Sequence, residues 1–388
     1  MSSVSQRKEL GIGIIGYSIG KVHAHAWSAV DEFFHPAKLN PRLVAICGRN
    51  KENLEIEANR FGFESSYSDW KDLVEDDRVS VVDNCSPPST HLEPTILAAS
   101  LGKHLFCEKP MARNSAEAKA MLDAAEKARV KHMVGYNYRF IPAVILARDM
   151  ITSGQLGNIF YFKGSYLNVN EGYDNPGFPY GWHHDSGIAG YGALADLGTH
   201  ALDLARFLVG EISSVSGASE TFVKERPVSW GSKEKRKVDV DDLTVACMKF
   251  QNGALGILES SWLTPGRMDF LSFEVYGSLG AIKYNLERIH ELEVFKSEDE
   301  PKIKGFRNVM VLNKKFHPYM SQYWSNQGGG FAWEHSFINE ANHLINCIAD
   351  DMPVSPNGAT FYDGYRNCRI MDGIAASAKS EKWVDVSE

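Results

Sequence analysis

From residue 10 to about residue 135, short apolar runs alternate with amphipathic stretches. Residues 12–16, 43–47, 79–83, 104–107 and 132–135 read as strands. Between them, residues 23–30, 51–61, 93–101 and 115–128 read as helices. Ala26, Trp27 and Val30 form the apolar face of the first helix, Gly102 stops the third, and Ser115 is the expected N-cap of the last. Strands this uniformly apolar are buried on both faces, and their alternation with helices predicts a parallel, doubly wound sheet.

Beyond about residue 150 the period changes to two. Residues 159–169 alternate apolar and polar side chains, and 245–250 and 254–262 flank an Asn252-Gly253 hairpin turn. Residues 270–275, 280–284 and 291–295 continue the pattern, which predicts a largely antiparallel sheet with one face available. Helices are expected at 195–209, 335–350 and 363–380, and a mobile glycine-rich loop at 326–330. The expected organisation is a dinucleotide-binding domain over 1–137 and a substrate and oligomerisation domain over 138–362. A C-terminal helix and tail, 363–388, then pack back on the body.

Composition narrows the class. A chain of 388 residues, 44% hydrophobic and 23% charged, suits two ordinary globular domains. A formal charge of −8 lacks the basic footprint of a nucleic-acid binder, and the run at 233–237 is short and of mixed sign. The six cysteines are widely spaced without a C-x-x-C pair, so free thiols in a reducing cytoplasm are expected, and no metal. The polar N-terminus reads as no signal peptide, and the apolar runs are too short for a bilayer, so no membrane association is expected.

Gly11, Gly13 and Gly16 match G-x-G-x-x-G literally, but the first two fall inside the strand, where no phosphate reaches them. The anion-binding turn is instead Gly16, Tyr17, Ser18, Ile19 and Gly20, between strand and helix. Gly16 supplies the tight turn, Ser18 stands at or beside the close-approach position, and Gly20 lets helix and strand pack closely. After the second strand come Arg49 and Asn50 with no carboxylate for a ribose hydroxyl. NAD or NADP is expected, with a weak lean to NADP from Arg49.

The third strand runs into Cys85-Ser86-Pro87-Pro88-Ser89-Thr90-His91, and the fourth into Cys107-Glu108-Lys109-Pro110. A second stretch reads Gly192-Ala-Leu-Ala-Asp196-Leu-Gly198-Thr-His200-Ala-Leu-Asp203. Over nearly the whole chain these motifs resemble the glucose–fructose oxidoreductase / inositol dehydrogenase / MocA family. The resemblance implies an α/β Rossmann domain plus an α+β domain with an open, mostly antiparallel sheet, joined as dimers or tetramers through that sheet. It implies Lys109, Asp196 and His200 as the catalytic trio. The cofactor site is expected to include Ser86, Pro87, His91, Glu108, Lys109 and Asn137.

The residues themselves agree with this chemistry. Lys109 follows a parallel strand at its carboxyl end, where such sheets bind ligands, and Pro110 suggests a constrained, cis-prone bond. Asp196, His200 and Asp203 at i, i+4 and i+7 are expected to share one helix face. A zinc reading of Asp196, His200, His183 and His184 does not match the spacing of a known site.

For the substrate, Arg139 after the fifth strand is a candidate orienting cation. The segment 168–185 is rich in aromatic and polar groups, with Tyr173, Trp182 and His183 foremost. Tyr319, Tyr323, Trp324, Trp333 and His335 suggest a second wall. Aromatic faces beside polar groups suit a neutral sugar or polyol. The expected function is hydride transfer between NAD(P) and a secondary alcohol of a sugar, glycoside or cyclic polyol such as inositol. Two other readings stay open: an NAD-dependent glycosidase acting by transient oxidation, and a cofactor-sensing regulator, against which the retained Lys109, Asp196 and His200 argue.

Overall fold

The structure is a computed structural model that describes residues 7–169, 172–324 and 329–387. The chain opens as β1 (Glu9–Ile15), α1 (Gly20–Phe33), β2 (Asn40–Cys47), α2 (Lys51–Phe61), β3 (Ser65–Tyr67) and α3 (Trp70–Glu75). It continues as β4 (Val81–Asn84), α4 (Leu92–Ser100), β5 (His104–Cys107), α5 (Ser115–Ala128) and β6 (His132–Val134). The six strands form one parallel sheet in the order β3-β2-β1-β4-β5-β6. The chain reverses direction of travel between β1 and β4, which opens a crevice at their carboxyl ends.

Gly11 and Gly13 lie inside β1. A Cβ on Gly11 would fall 1.8 Å from the Arg78 carbonyl oxygen, and one on Gly13 2.8 Å from Leu73 Cδ2, so these glycines let neighbouring chain lie flat on the strand. The expected cap at Ser115 is corrected: Asn114 caps α5, its side chain accepting from the Glu117 N–H. The strand β3 and helix α3, three and six residues long, are too short to leave a period in the sequence.

The second region begins with α6 (Pro142–Thr152), β7 (Ile159–Leu167) and α7 (Ser186–Ala189). A π-helical turn, Leu194–Gly198, runs into α8 (Thr199–Leu208). Then come β8 (Ile212–Glu220), β9 (Glu225–Pro227), β10 (Lys235–Lys237), β11 (Leu243–Phe250), β12 (Leu255–Ser261) and β13 (Phe270–Gly277). The remaining elements are β14 (Gly280–Asn285), β15 (Glu291–Lys296), β16 (Arg307–Met310), α9 (Trp333–Ala349), α10 (Phe361–Ser380) and β17 (Val384–Asp385). Among the described residues β9 and β10 form a separate two-stranded pair, and the others a nine-stranded sheet, β16-β15-β14-β13-β7-β12-β11-β8-β17. Only the β7–β12 pair in it is parallel.

The period-two pattern has its cause here. Along β11, Thr244, Ala246, Met248 and Phe250 are buried while Val245, Cys247 and Lys249 face outward. The inner face packs on α8 and α10, and α10 reaches α5 through Asp372, which accepts from the Ser115 N–H. Helix α9 returns to the first sheet and packs along α1. Of the expected loop at 326–330, residues 326–328 lie outside the described residues. No helix among the described residues is long and apolar enough to cross a membrane.

Candidate active site

A cavity of about 680 Å³ occupies the crevice at the strand ends. One wall is the turn Gly16, Tyr17, Ser18 and Ile19 with Arg49, Ser86 and Pro87. Gly16 has φ +92°, and a Cβ there would stand 2.8 Å from the Cys85 carbonyl oxygen. A Cβ on Gly48 would strike the Tyr17 ring at 2.4 Å, and one on Gly20 would press on Ile14 at 3.0 Å. Helix α1 begins without a side-chain cap, whereas α2, α3 and α5 are capped by Asn50, Asp69 and Asn114. Apart from the Val22 N–H, bonded to the Ile19 carbonyl at 2.8 Å, its first N–H groups are therefore open to an anion. These features fit a dinucleotide.

The opposite wall brings Lys109, Asp196 and His200 together. Lys109, at the end of β5 and before a cis Pro110, donates from Nζ to the Asp196 carboxylate and to its backbone oxygen, both at 2.8 Å. The other Asp196 oxygen accepts from Trp262 Nε1 at 3.2 Å. Burial alone would lower the Lys109 ammonium, but Asp196 and Glu108 outweigh it and its pKa is raised. Burial likewise pushes Asp196 up, and Lys109 and His183 carry it well below the usual carboxylate range. The pair is ionised. A lysine ammonium has three donors, and two are committed to Asp196.

His200 sits in a cage of Tyr136, Tyr138 and Tyr166 rings, with centroids at 5.8, 4.6 and 5.8 Å. Burial, with Lys109 nearby, depresses its pKa well below the ordinary value, and its Nδ1 has no hydrogen-bond partner. It is a neutral imidazole able to accept a proton. Trp182 and His183 line the same wall as a stacked pair with centroids 3.5 Å apart.

Below Lys109 lies a buried charge chain that sequence reasoning missed. His23 Nδ1 meets both Asp83 oxygens at 3.1 and 3.0 Å, and its Nε2 meets Glu108 Oε1 at 3.0 Å. Trp27 Nε1 donates to Asp83 at 2.8 Å, and the second Glu108 oxygen accepts from the Lys109 N–H at 2.9 Å. Burial opposes charge on His23, but Asp83 and Cys85 hold its pKa well above the ordinary value. A signal existed: Asp83 in an apolar strand must find a partner, and His23 and Trp27 lie one turn apart on the apolar face of α1.

Several expected site residues lie elsewhere. Arg139 does not reach the cavity: it is 2% exposed and grips Asp203 through Nε and Nη2 at 2.7 and 2.6 Å. Asp203, expected on a shared face with Asp196 and His200, is one turn further along α8 and is spent on that pair. His91 is buried behind the wall, its ring nitrogens against the Met111 and Ser86 carbonyls, so it braces the loop and offers nothing to a ligand. Asn50 is committed to capping α2. Tyr173 packs behind Trp262 and His184, and its hydroxyl lies 3.3 Å from His183 Nδ1. His335 accepts from the Ala332 N–H and packs on Phe33, Tyr323 and Phe331. Of the expected second wall only Trp333 lines the cavity. Glu108 and Asn137 do line it, and Asn137 is held by a bond from Nδ2 to Ser336 Oγ on α9. Tyr138, Tyr166, Asn168 and Trp262 complete the wall and were not anticipated as site residues.

Known proteins resemble this chain over nearly its whole length. Residues 10–136 match the family model for the oxidoreductase family, NAD-binding Rossmann fold, and residues 144–283 match the GFO/IDH/MocA C-terminal domain. The chain is 39% identical to a levoglucosan dehydrogenase of Pseudarthrobacter phenanthrenivorans, over 98% of this chain and 99% of that protein. It is 30% identical to a myo-inositol 2-dehydrogenase of Thermotoga maritima, over 70% of this chain and 74% of that protein. A levoglucosan dehydrogenase solved with NADH and levoglucosan superposes with a TM-score of 0.93 at 40% identity, covering 98% of this chain and 100% of that one.

Proposed function

The chain belongs to the GFO/IDH/MocA family of oxidoreductases, and on that premise we propose that its cavity oxidises a secondary hydroxyl of a pyranose-type sugar, with levoglucosan the first substrate to test. The reaction class is hydride transfer between a nicotinamide cofactor and a sugar or polyol CH–OH. The observation that carries the substrate reading is the ionised Lys109–Asp196 pair beside neutral His200, in a cavity also lined by Trp182, Trp262 and Asn168. The part-exposed Trp182 indole suits the C–H face of a sugar, and the polar groups suit its hydroxyls, while the wholly buried Trp262 serves through its N–H bond to Asp196. The lean toward NADP rested on Arg49 alone. That side chain is exposed at the rim, and the matching family model and the NADH-bound relative favour NAD.

Glu108 and Asn137, which line the cavity, would hold the nicotinamide, and that group would supply the hydride acceptor. The protein does the rest. The third N–H of Lys109 is available to the substrate oxygen, where its positive charge stabilises the developing alkoxide. Asp196 and Trp262 fix that ammonium in place, and His200 takes the hydroxyl proton. Incubation with NAD and a panel of levoglucosan, inositols, monosaccharides and aryl glycosides, read by absorbance of the reduced cofactor, tests the reading. Turnover of levoglucosan or a pyranoside is expected. Aglycone release with no net reduction, or turnover of inositols alone, would overturn it.

The depressed pKa of His200 sets a pH dependence. Its base form persists below the ordinary histidine value of 6.5, so proton acceptance is lost only as pH falls well under that. A profile of log kcat/KM for sugar oxidation should show no acid limb near 6.5; a limb there would identify another base.

The outward face of the nine-stranded sheet carries Val245, Cys247, Leu255 and Ile257, with Val245 43% and Leu255 55% exposed. These apolar side chains, set among Lys163, Lys249 and Glu259 on the same face of a mostly antiparallel sheet, support a homodimer or homotetramer packed through it. Light scattering should give a multiple of the single-chain mass, and Leu255→Glu should lower it. All six cysteines are free, five of them buried, which suits a reducing cytoplasm.

A further inference from the structure

We propose that Tyr138, Tyr166 and Asp269 form a hydrogen-bonded path that carries the substrate's hydroxyl proton from the cavity to the surface. The inference rests on the dehydrogenase reading above. Tyr138 and Tyr166 both line the cavity beside His200, and both are nearly buried, at 4% and 5% exposure. The Tyr138 hydroxyl lies 2.7 Å from the Tyr166 hydroxyl, which donates at 2.7 Å to Asp269 Oδ1. Asp269 stands just before β13, partly exposed, next to the exposed Arg267 and Met268.

The direction of the chain follows from the inventory of protons. The Tyr166 hydroxyl donates to Asp269, which commits its single proton there, and Tyr138 must then donate to Tyr166. Every bond thus points from the cavity toward Asp269.

The path matters because of what fills the cavity. A dinucleotide and a sugar in about 680 Å³ displace the water that would otherwise take the proton away. The electron pair leaves carbon with the transferred hydride, and the hydroxyl proton is left over. Leaving the hydroxyl, or released afterwards by His200, it binds the Tyr138 oxygen as the Tyr138 proton passes to Tyr166 and the Tyr166 proton to Asp269. The net change is one protonated Asp269 carboxyl. It returns its proton to bulk buffer, and the two hydroxyls turn back. No oxidant beyond the nicotinamide is needed. Burial raises the Asp269 pKa against the Tyr166 bond, and Glu287 raises it further, which suits a transient proton holder.

Tyr166→Phe and Asp269→Asn each break the path at one atom. In weak buffer each should lower kcat roughly tenfold, at or below the low end of what a proton carrier contributes. Added imidazole should restore much of that loss, since a small base replaces the missing link, and Asp269→Glu should retain more activity than Asp269→Asn. A pH-indicator dye in a single turnover should show proton release lagging behind cofactor reduction in the variants and concurrent with it in the unaltered enzyme. A loss that imidazole leaves unchanged, or no lag in either variant, would overturn the proposal. Failure of the unaltered enzyme to reduce NAD with any sugar would instead overturn the dehydrogenase reading.

Discussion

Lys109→Met should lower kcat for sugar oxidation on the order of 10³-fold while the protein stays folded and still binds NAD. Methionine keeps the unbranched apolar stem and removes the charge and all three donors. The Lys109 side chain is 19% and Asp196 20% exposed, so the carboxylate left behind keeps some water and its Trp262 bond. The fold therefore loses little, and the loss falls on the transition state, where an alkoxide would form with no cation against it. Lys109→Arg should recover only part of the rate, because a planar fork cannot make the same bonds to Asp196 and to a substrate oxygen. The measurement is kcat at saturating NAD and sugar, with cofactor affinity followed by fluorescence. A weakened NAD affinity with near-normal kcat would make Lys109 a cofactor-binding residue and remove it from the chemistry.

What the sequence made legible follows from how each residue is held. The parallel sheet was readable because β1, β4 and β5 are buried on both faces and so read as unbroken apolar runs. The turn after β1 was readable because so tight a passage from strand to helix needs glycine where Gly16 stands, at φ +92°. Lys109, Asp196 and His200 were singled out by the family resemblance, with the strand before Lys109 and the i, i+4 spacing of Asp196 and His200 in agreement, although a π-helical turn lies beneath Asp196. The misses share a different cause. Asn137 and Arg139 lie on one 3-10 turn, Asn137–Phe140; the first lines the cavity and the second, two residues on, points into the core. Nothing in residue type distinguishes those directions. Tyr166 and Asn168 could have been found: in β7 the same alternation that buries Phe162 and Gly164 turns Tyr166 inward and leads to Asn168. Aromatic residues such as Tyr173, Tyr323 and His335 cluster by packing on each other, so their abundance near the site overstated how many face a ligand.

Arg139→Met should cost about 3–5 kcal/mol of stability, a large share of what holds a typical domain together. Arg139 joins three elements that meet where the two sheets abut. Besides its two bonds to Asp203 on α8, its Nη2 meets Asp363 Oδ1 on α10 at 3.2 Å, and its guanidinium lies 4.7 Å from the centre of the Phe207 ring. Methionine would preserve the packing volume and strand the Asp203 carboxylate, 1% exposed, with Asn367 Nδ2 at 3.3 Å. That uncompensated charge, more than the lost contacts, makes the cost. Asp363 supplies the pH signature. Burial pushes its carboxyl up, and Arg139 and Arg206 hold it down at about 2. A carboxyl with a depressed folded pKa stabilises the fold above its unfolded value of 3.8, and that stability is lost as pH falls through about 2. With Arg139 gone the Asp363 pKa rises toward 3.8, which moves its share of the acid-side loss of stability to higher pH, while Asp203, whose pKa burial already raises, acts the other way because its stranded charge is relieved as pH falls. Urea unfolding at neutral pH should show the lower midpoint, and Arg139→Met with Asp203→Leu should recover part of it, because the stranded charge is then removed too. The KM for sugar in the folded variant should stay near that of the unaltered enzyme. A raised KM at unchanged stability would return Arg139 to the ligand site and contradict the geometry.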